Sequence, residues 1–335
     1  MSVGTALRAA RDHAFRAAGL NALARRRLDG TRAAILMYHR VLPESEASRL
    51  AIEPGMYVTP ESFDQQLAAL RQFDFEPTPL HTLLEAQTRS EPWPKRAVTL
   101  TFDDGWLDNH SYARPIVERH GFTATLFVVT ERVGTAGAFW PDEVMRRLSA
   151  LSDPEARSLV DRLLGGARSA DDDDMPPSEA LLAGMKAAQP QARLELLERL
   201  RSATPALPSP PERELMTWHE LDEMARAGFD IESHGLSHEL FTALDEAGLA
   251  RELSDSLASL RSRGHGRWGL LAYPSGAVDP RVVRATREAG YLGAVTTRDA
   301  VACRTDEALA LPRLGVHESV GRPRARFLAK FPGWR

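Results

Sequence analysis

The chain has 335 residues, 43% of them hydrophobic and 26% charged, an ordinary globular composition with room for one large α/β domain or two smaller ones. A formal net charge of −4, from 42 basic and 46 acidic residues, argues against nucleic acid as a partner. The lone Cys303 excludes an intrachain disulfide and a cysteine zinc cluster, and it fits a reducing compartment.

At the N-terminus, Arg8, Arg11, Asp12 and Arg16 interrupt the apolar core that a signal peptide needs. No apolar run is long enough to span a membrane. A cytoplasmic protein, or one peripheral to the inner membrane, is therefore expected. Between Thr5 and Leu28, the apolar Leu7, Phe15, Leu20 and Leu23 mix with Arg25, Arg26 and Arg27. Residues 1–30 read as an amphipathic helical segment. Such a helix either packs on the domain with its arginines in solvent or lies on an anionic membrane surface.

The run Ala33 to His39 reads as a buried strand. Thr59-Pro60-Glu61 opens a helix through about Phe73, with Thr59 as cap and Phe63, Leu67 and Leu70 at helical spacing. A short helix is expected over Leu80 to Ala86, a strand over Ala97 to Phe102, and a helix from near His110 to Arg119. Gly121 stops that helix, and Ala124 to Val129 makes a third strand. This rhythm argues for βαβ units and parallel pairing.

From about Arg132 to Leu215 the rhythm breaks. Two or three helical pieces are expected there, with Phe139 to Leu151 and Ala192 to Arg201 the clearest, and no strand. The four aspartates Asp171 to Asp174 and the proline-rich Thr204 to Pro211 read as solvated connections. The region is an insertion into the fold.

Strand and helix then alternate again. A helix over Trp218 to Ala227 ends at Gly228 and leads into a strand over Phe229 to Ser233. A helix over Glu246 to Arg261, a strand over Gly269 to Tyr273 and a helix over Pro280 to Ala289 follow. Strands over Leu292 to Thr296 and Leu311 to Val316 complete about seven. A barrel of parallel strands accounts for this order, with function at the strands' C-terminal ends. An open doubly wound sheet is the alternative.

Three polar clusters stand where strands end: Asp103-Asp104, His234 with His238, and His317. Two adjacent carboxylates in one pocket need a cation or a shared proton. Two histidines four apart share a face on a helical turn, which suits a divalent metal. Two imidazoles and one carboxylate leave room for water and substrate, the mark of a catalytic metal site. Zinc is the default ion, with cobalt, manganese, iron and nickel left open. His219 lies inside a helix and reads as structural.

The pattern resembles the polysaccharide deacetylase family, which shares the NodB homology domain (carbohydrate esterase family four). Its motif Thr-Phe-Asp-Asp-Gly is matched in full at Thr101 to Gly105. Its His-Ser/Thr-x-x-His motif is present at His234 to His238, with Gly235 in place of the Ser or Thr. Its Arg-x-Pro-Tyr-Gly motif becomes Ala272-Tyr273-Pro274-Ser275-Gly276, and its Leu-x-Leu-His motif becomes Leu314-Gly315-Val316-His317. The Asp/Trp motif is not recognisable. The Met37 to Val41 opening and the Tyr-Pro-x-Gly variant look like the exopolysaccharide branch.

The resemblance implies a distorted (β/α)7-type barrel over residues 31–319, interrupted by the helical insertion at about 132–215, with 320–335 as a C-terminal tail. It implies Asp104, His234 and His238 as metal ligands, Asp103 as general base and His317 as general acid. The oxyanion donor would be the Ser275 N–H, beside Tyr273, with Leu314 and Val316 as a wall for the acetyl methyl. The arginine that tunes the base is absent at Ala272. Arg313 and Arg40 are the candidates to replace it, against a plain strand-end charge for Arg313. Tyr38 and His39 are candidates to reach the pocket from the first strand, with a packed structural role as the alternative for His39. The implied activity is metal-dependent N-deacetylation of N-acetylhexosamine units in a polysaccharide or lipid-linked precursor. A deformylase or other amide hydrolase, and an inactive sugar-binding homologue, are the alternatives. Oligomeric state is not legible.

Overall fold

The computed structural model describes residues 28–53, 55–136, 139–165, 175–207, 213–321, 324–328 and 330–331. The expected helix within 1–30 therefore lies outside the described residues up to position 27, as does the aspartate run.

Seven parallel strands form a closed barrel: β1 (Arg32–Tyr38), β2 (Ala97–Phe102), β3 (Ala124–Val128), β4 (Phe229–Ser233), β5 (Leu270–Ala272), β6 (Gly293–Asp299) and β7 (Leu311–Gly315). The order runs β1-β7-β6-β5-β4-β3-β2, and β2 pairs back to β1 from Ala34↔Val98 to Tyr38↔Phe102. That last pairing closes the barrel and excludes the open sheet. Every residue of β2 and β3 is buried, as expected where parallel strands are covered on both faces.

Adjacent strand residues face opposite sides. Ile35, Phe127, Val295 and Leu311 come from strands that are not all neighbours, yet they share one apolar cluster, which places them on the inward side. Leu36, Leu100, Leu126 and Leu314 lie on the outward side, packed with Phe63 and Leu67 of α1 (Pro60–Gln72). Thr59 Oγ1 accepts from Ser62 N and caps α1 as its sequence predicts.

The expected helix from His110 is interrupted. Asn109–Ala113 is a π-helical turn, and only Arg114–Arg119 is α-helical. Pro115 has no N–H to bond back to Ser111, so the ladder cannot run through it. Between β3 and the helix Trp218–Arg226 that leads into β4, the described residues of the insertion form four α-helices: Trp140–Ser149, Asp153–Leu163, Pro177–Ala187 and Pro190–Ala203. They bury their own core of Val144, Leu148, Leu159, Val160, Leu181, Met185, Leu197 and Leu200. The expected C-terminal tail needs correction among its described residues. Phe327, Leu328 and Phe331 are buried in the barrel's outer core, and Phe331 packs on Phe75 with ring centroids 4.8 Å apart.

Candidate metal centre and active site

The C-terminal mouth of the barrel collects the polar clusters. Just past β2 the chain turns through Asp104 (φ +76) and Gly105 (φ +84), so Asp103 and Asp104 point to different partners. Asp104 Oδ1 lies 3.3 Å from His234 Nε2 and 3.4 Å from His238 Nε2. One ligand atom from each of these three residues falls within 4.8 Å of the others. Asp104 Oδ2 accepts from Trp106 Nε1 at 2.9 Å. The histidines beside Asp104 outweigh its burial and hold the carboxyl well below the usual carboxylate range.

His234 follows β4 directly. Its Nδ1–H donates to the Ala272 carbonyl at 2.8 Å, which turns Nε2 toward Asp104, as a lone pair in the neutral ring and as an N–H donor to the carboxylate in the charged one. Burial works against charge on this ring, but its hydrogen bond to Asp104 prevails and raises its pKa. His238 is pushed down to about 4, mainly by burial.

The helical turn expected between the two histidines is absent, because His234 to His238 is an irregular loop. Left-handed residues at Gly235 (φ +82) and His238 (φ +72) bring the rings together instead, with centroids 5.1 Å apart. Glu252 holds this loop, accepting from Leu236 N at 2.8 Å, Ser237 N at 3.1 Å and the Ser237 hydroxyl. A Cβ at position 235 would come within 3.1 Å of Glu252 Oε2, so the glycine suits both the backbone angle and the space.

Asp103 faces Arg313. The guanidinium donates from NH1 to Oδ1 and from NH2 to Oδ2, each at 2.7 Å, and both side chains are buried. Burial alone would raise the Asp103 pKa, but the charge and hydrogen bonds of Arg313 lower it. His39 Nε2 stands 3.9 Å from Asp103 Oδ2.

Asp103, Asp104, His234, His238, His39, Ser275 and His317 line one cavity of about 400 Å³. His317 Nδ1 shares a 2.8 Å hydrogen bond with Ser319 Oγ. Partial burial and then Lys330 lower the His317 pKa. Ser275 (φ +53) sits in a turn whose backbone bonds run from Gly276 N to Tyr273 O and from Ala277 N to Pro274 O, leaving the Ser275 N–H outside them. A Cβ on Gly276 would collide with Thr297 Oγ1 at 2.1 Å. Left-handed backbone at Asp104, His238 and Ser275 costs about 1–3 kcal/mol each, strain of the kind that collects at functional sites.

Four expectations are corrected. Arg40 is not the partner of the base, since it pairs with Asp108 at 2.8 Å and Glu214 at 3.0 Å. Tyr38 is buried in the core and donates to Gln66 Oε1 at 3.0 Å. Tyr273 is likewise buried, with its hydroxyl on the Leu309 carbonyl at 2.9 Å. Leu314 and Val316 pack in the outward core. Strand alternation is the reason: Arg313 faces inward to Asp103, so its neighbour Leu314 faces outward.

The insertion covers one side of the site, as expected of it, but the sequence reading named none of the wall residues. Trp106, Phe139, Asp142 and Lys186 line the cavity, three of them from the insertion. Only Trp106, next to the Asp-Asp-Gly turn, carried a positional signal. Asp142 is pushed up to about 7, chiefly by burial against the pull of Arg40 and Arg146.

Residues 90–157 and 173–294 match the family described as polysaccharide deacetylase, more than half of the chain. The chain is 21% identical over 283 residues to YxkH of Bacillus subtilis strain 168, which carries the polysaccharide deacetylase name; 84% of this chain and 70% of that protein are covered. The fold is similar to that of the Streptococcus pyogenes deacetylase PplD in complex with acetate, with TM-score 0.57, 19% identity, and 86% and 94% of the two chains covered. It is also similar to IcaB from Ammonifex degensii, with TM-score 0.56, 17% identity, and 90% and 98% covered.

Proposed function

The chain belongs to the polysaccharide deacetylase family, and on that premise we propose that it removes N-acetyl groups from N-acetylhexosamine units of a polysaccharide or a lipid-linked precursor, in a metal-dependent hydrolysis. The observation that carries this reading is the division of labour between two adjacent carboxylates. Asp104 joins His234 and His238, while Asp103 joins Arg313.

The donor set fits a divalent ion. Two imidazole Nε2 atoms and one carboxylate oxygen converge, and the Ala272 carbonyl fixes the His234 tautomer so that its lone pair faces the others. Zinc is the ion proposed; cobalt, manganese, iron and nickel suit the same ligands. When bound there, the ion would polarise the acetyl carbonyl and acidify a water.

The protein's own groups perform the remaining steps. Asp103, kept ionised by Arg313, takes the proton from the attacking water. The Ser275 N–H donates to the oxygen that becomes negative. His317 passes a proton to the departing nitrogen, because an unprotonated amine leaves slowly at neutral pH. The carbonyl carbon gains an oxygen and loses the nitrogen, giving acetate and a free amino sugar.

The test is acetate release from polymeric and lipid-linked N-acetylhexosamines, with formate assayed in parallel. Acetate release that Asp103→Asn abolishes while metal is retained supports the reading. Formate release alone would move the substrate to an N-formyl amide. No turnover on any substrate, with glycan binding kept, would make the protein a sugar binder.

A further inference from the structure

The two imidazoles of the candidate metal centre are held in different ways. His234 donates its Nδ1–H to the Ala272 carbonyl at 2.8 Å, the kind of bond that ordinarily fixes a ligating ring. His238 lacks its counterpart: its Nδ1 is buried and has no hydrogen-bond partner among the described residues. The backbone at His238 is left-handed (φ +72), a conformation that a residue other than glycine keeps only where its surroundings impose it. On the barrel side, Glu131 N donates to the Leu236 carbonyl at 2.9 Å, and Glu252 accepts from Leu236 N and Ser237 N. These contacts end at Ser237, one residue short of His238.

The insertion reaches His238 from two of its elements. Near its start, the Phe139 ring lies 4.6 Å from the His238 ring, tilted by 48°. Phe139 also meets Trp106 edge-on at 5.3 Å, and Trp106 Nε1 donates to Asp104. A ring contact closes one side of the imidazole but leaves its backbone free. The second contact acts on that backbone. Arg193, on the helix Pro190–Ala203, donates from NH2 to Glu239 Oε2 at 2.7 Å, and Glu239 directly follows His238. Arg193 is 3% exposed, and its guanidinium lies 5.4 Å from the Trp140 ring. Its NH1 has no hydrogen-bond partner among the described residues. A cation so buried is tied to the carboxylate it has, because losing it would leave the charge uncompensated. The helix therefore holds the far end of the loop that carries His238.

We propose that Arg193 is a positioning residue for the metal. Through Glu239 it sets His238 in the place that a hydrogen bond to Nδ1 would otherwise secure. The inference rests on the metal-dependent reading above and adds that the insertion, besides walling the cavity, completes the metal centre.

The experiment titrates zinc into wild type, Arg193→Met, Arg193→Lys, Glu239→Gln and the Arg193→Met/Glu239→Gln double variant, against a chelating dye. Glu239→Gln breaks the pair from the barrel side and leaves every residue of the insertion in place, and thermal melts check that the fold is kept. Arg193→Met and Glu239→Gln should each weaken zinc binding about tenfold, the lower end of what an outer partner of a ligand is worth. The double variant should lose no more than either single one, since both remove the same contact. Arg193→Lys keeps a cation for Glu239 and should recover part of the loss. In a His238→Ala background, Glu239→Gln should change nothing further. Unchanged affinity in both single variants, or the same loss in the His238→Ala background, overturns the proposal. Should wild type bind no zinc, the metal reading fails and the ring itself is read by NMR of the histidine side-chain nitrogens. A single His238 signal in wild type that broadens or splits in Glu239→Gln then upholds the positioning role, and an identical signal in both overturns it.

Discussion

Arg313 and Asp103 lie 210 residues apart and meet through two parallel 2.7 Å hydrogen bonds inside the barrel mouth. The guanidinium is set before it reaches the acid. Its Nε donates to the Thr296 carbonyl and its NH1 also reaches Thr101 Oγ1, each at 3.0 Å. The family places an arginine for this task at the position held here by Ala272 on β5. In this chain β7 supplies the charge, and the buried Ala272 keeps a different duty through its carbonyl, which orients His234.

Removing that arginine should cost both stability and function. Arg313→Met leaves the Asp103 charge buried and unpaired, and breaking such a pair costs about 3–5 kcal/mol. The sign of the pH effect follows. Arg313 depresses the Asp103 pKa, a stabilisation present above the unfolded carboxyl value and lost as pH falls through the folded one. Without Arg313, burial prevails, the pKa rises, and the acid limb of kcat/KM moves to higher pH. Denaturant titration and a pH–rate profile check both. Adding Asp103→Asn should return part of the lost stability; a full-cost double variant would mean that Arg313 acts by packing alone.

The metal site should lose its ion one proton at a time. Of the two imidazoles, His234 has a raised pKa and His238 is held down to about 4. As pH falls below the raised value for His234, one proton competes with the ion, and affinity should drop about tenfold per pH unit until His238 begins to titrate. Competition with a chelating dye measures the slope. A two-proton slope near neutrality would contradict the assignment. His234→Ala should empty the site by elemental analysis.

Much of the scaffold was legible because local signals agreed with the tertiary outcome. Ala97–Phe102, Phe229–Ser233 and Glu246–Arg261 carry the bounds that apolar runs and punctuation residues announce. The Asp103-Asp104 pair, His234 and His238 were legible as clusters at strand ends, and the family resemblance singled out Asp104 as the third ligand. The rest depends on what no local pattern carries. Barrel closure rests on the β1–β2 register, and the choice of Arg313 over Arg40 rests on a contact across the barrel. Leu314 was misread because two adjacent strand residues cannot both face the mouth. That the insertion covers one side of the site was expected, but no local pattern singled out its wall residues Phe139, Asp142 and Lys186.

Glu252 should act on the metal without touching it. Its carboxylate collects two backbone N–H groups and the Ser237 hydroxyl, and thereby holds the loop that carries His238. Glu252→Ala should weaken metal binding about 10- to 100-fold, as is usual when an outer partner of a ligand is lost. The ligand count should stay the same when the site is saturated. Metal titration separates this from simple unfolding, since excess ion should restore activity. Unchanged affinity would show that the loop holds itself.

On the proposed mechanism, the proton delivered to the leaving amine is tuned from outside the cavity. Burial lowers the His317 pKa first, Lys330 lowers it further, and Asp299 opposes both. Lys330 and Asp299 also pair with each other at 3.2 Å, so each masks part of the other's effect. With His317 as the proposed general acid, its protonated form is the working form, and activity should fall as pH rises through its pKa. Lys330→Met removes a positive charge and exposes His317 to Asp299, so the imidazolium is stabilised and the basic limb of kcat/KM moves to higher pH. Asp299→Asn leaves Lys330 unopposed and should move the same limb to lower pH. The acid limb, set by Asp103 and Arg313, should stay in place in both. His317→Ala should lose about 10²–10⁴-fold in kcat, the usual worth of a positioned acid. Opposite shifts in the two surface variants would identify His317 as the titrating acid. Limbs that do not move, in enzymes that keep wild-type folding, would assign the basic limb to another group.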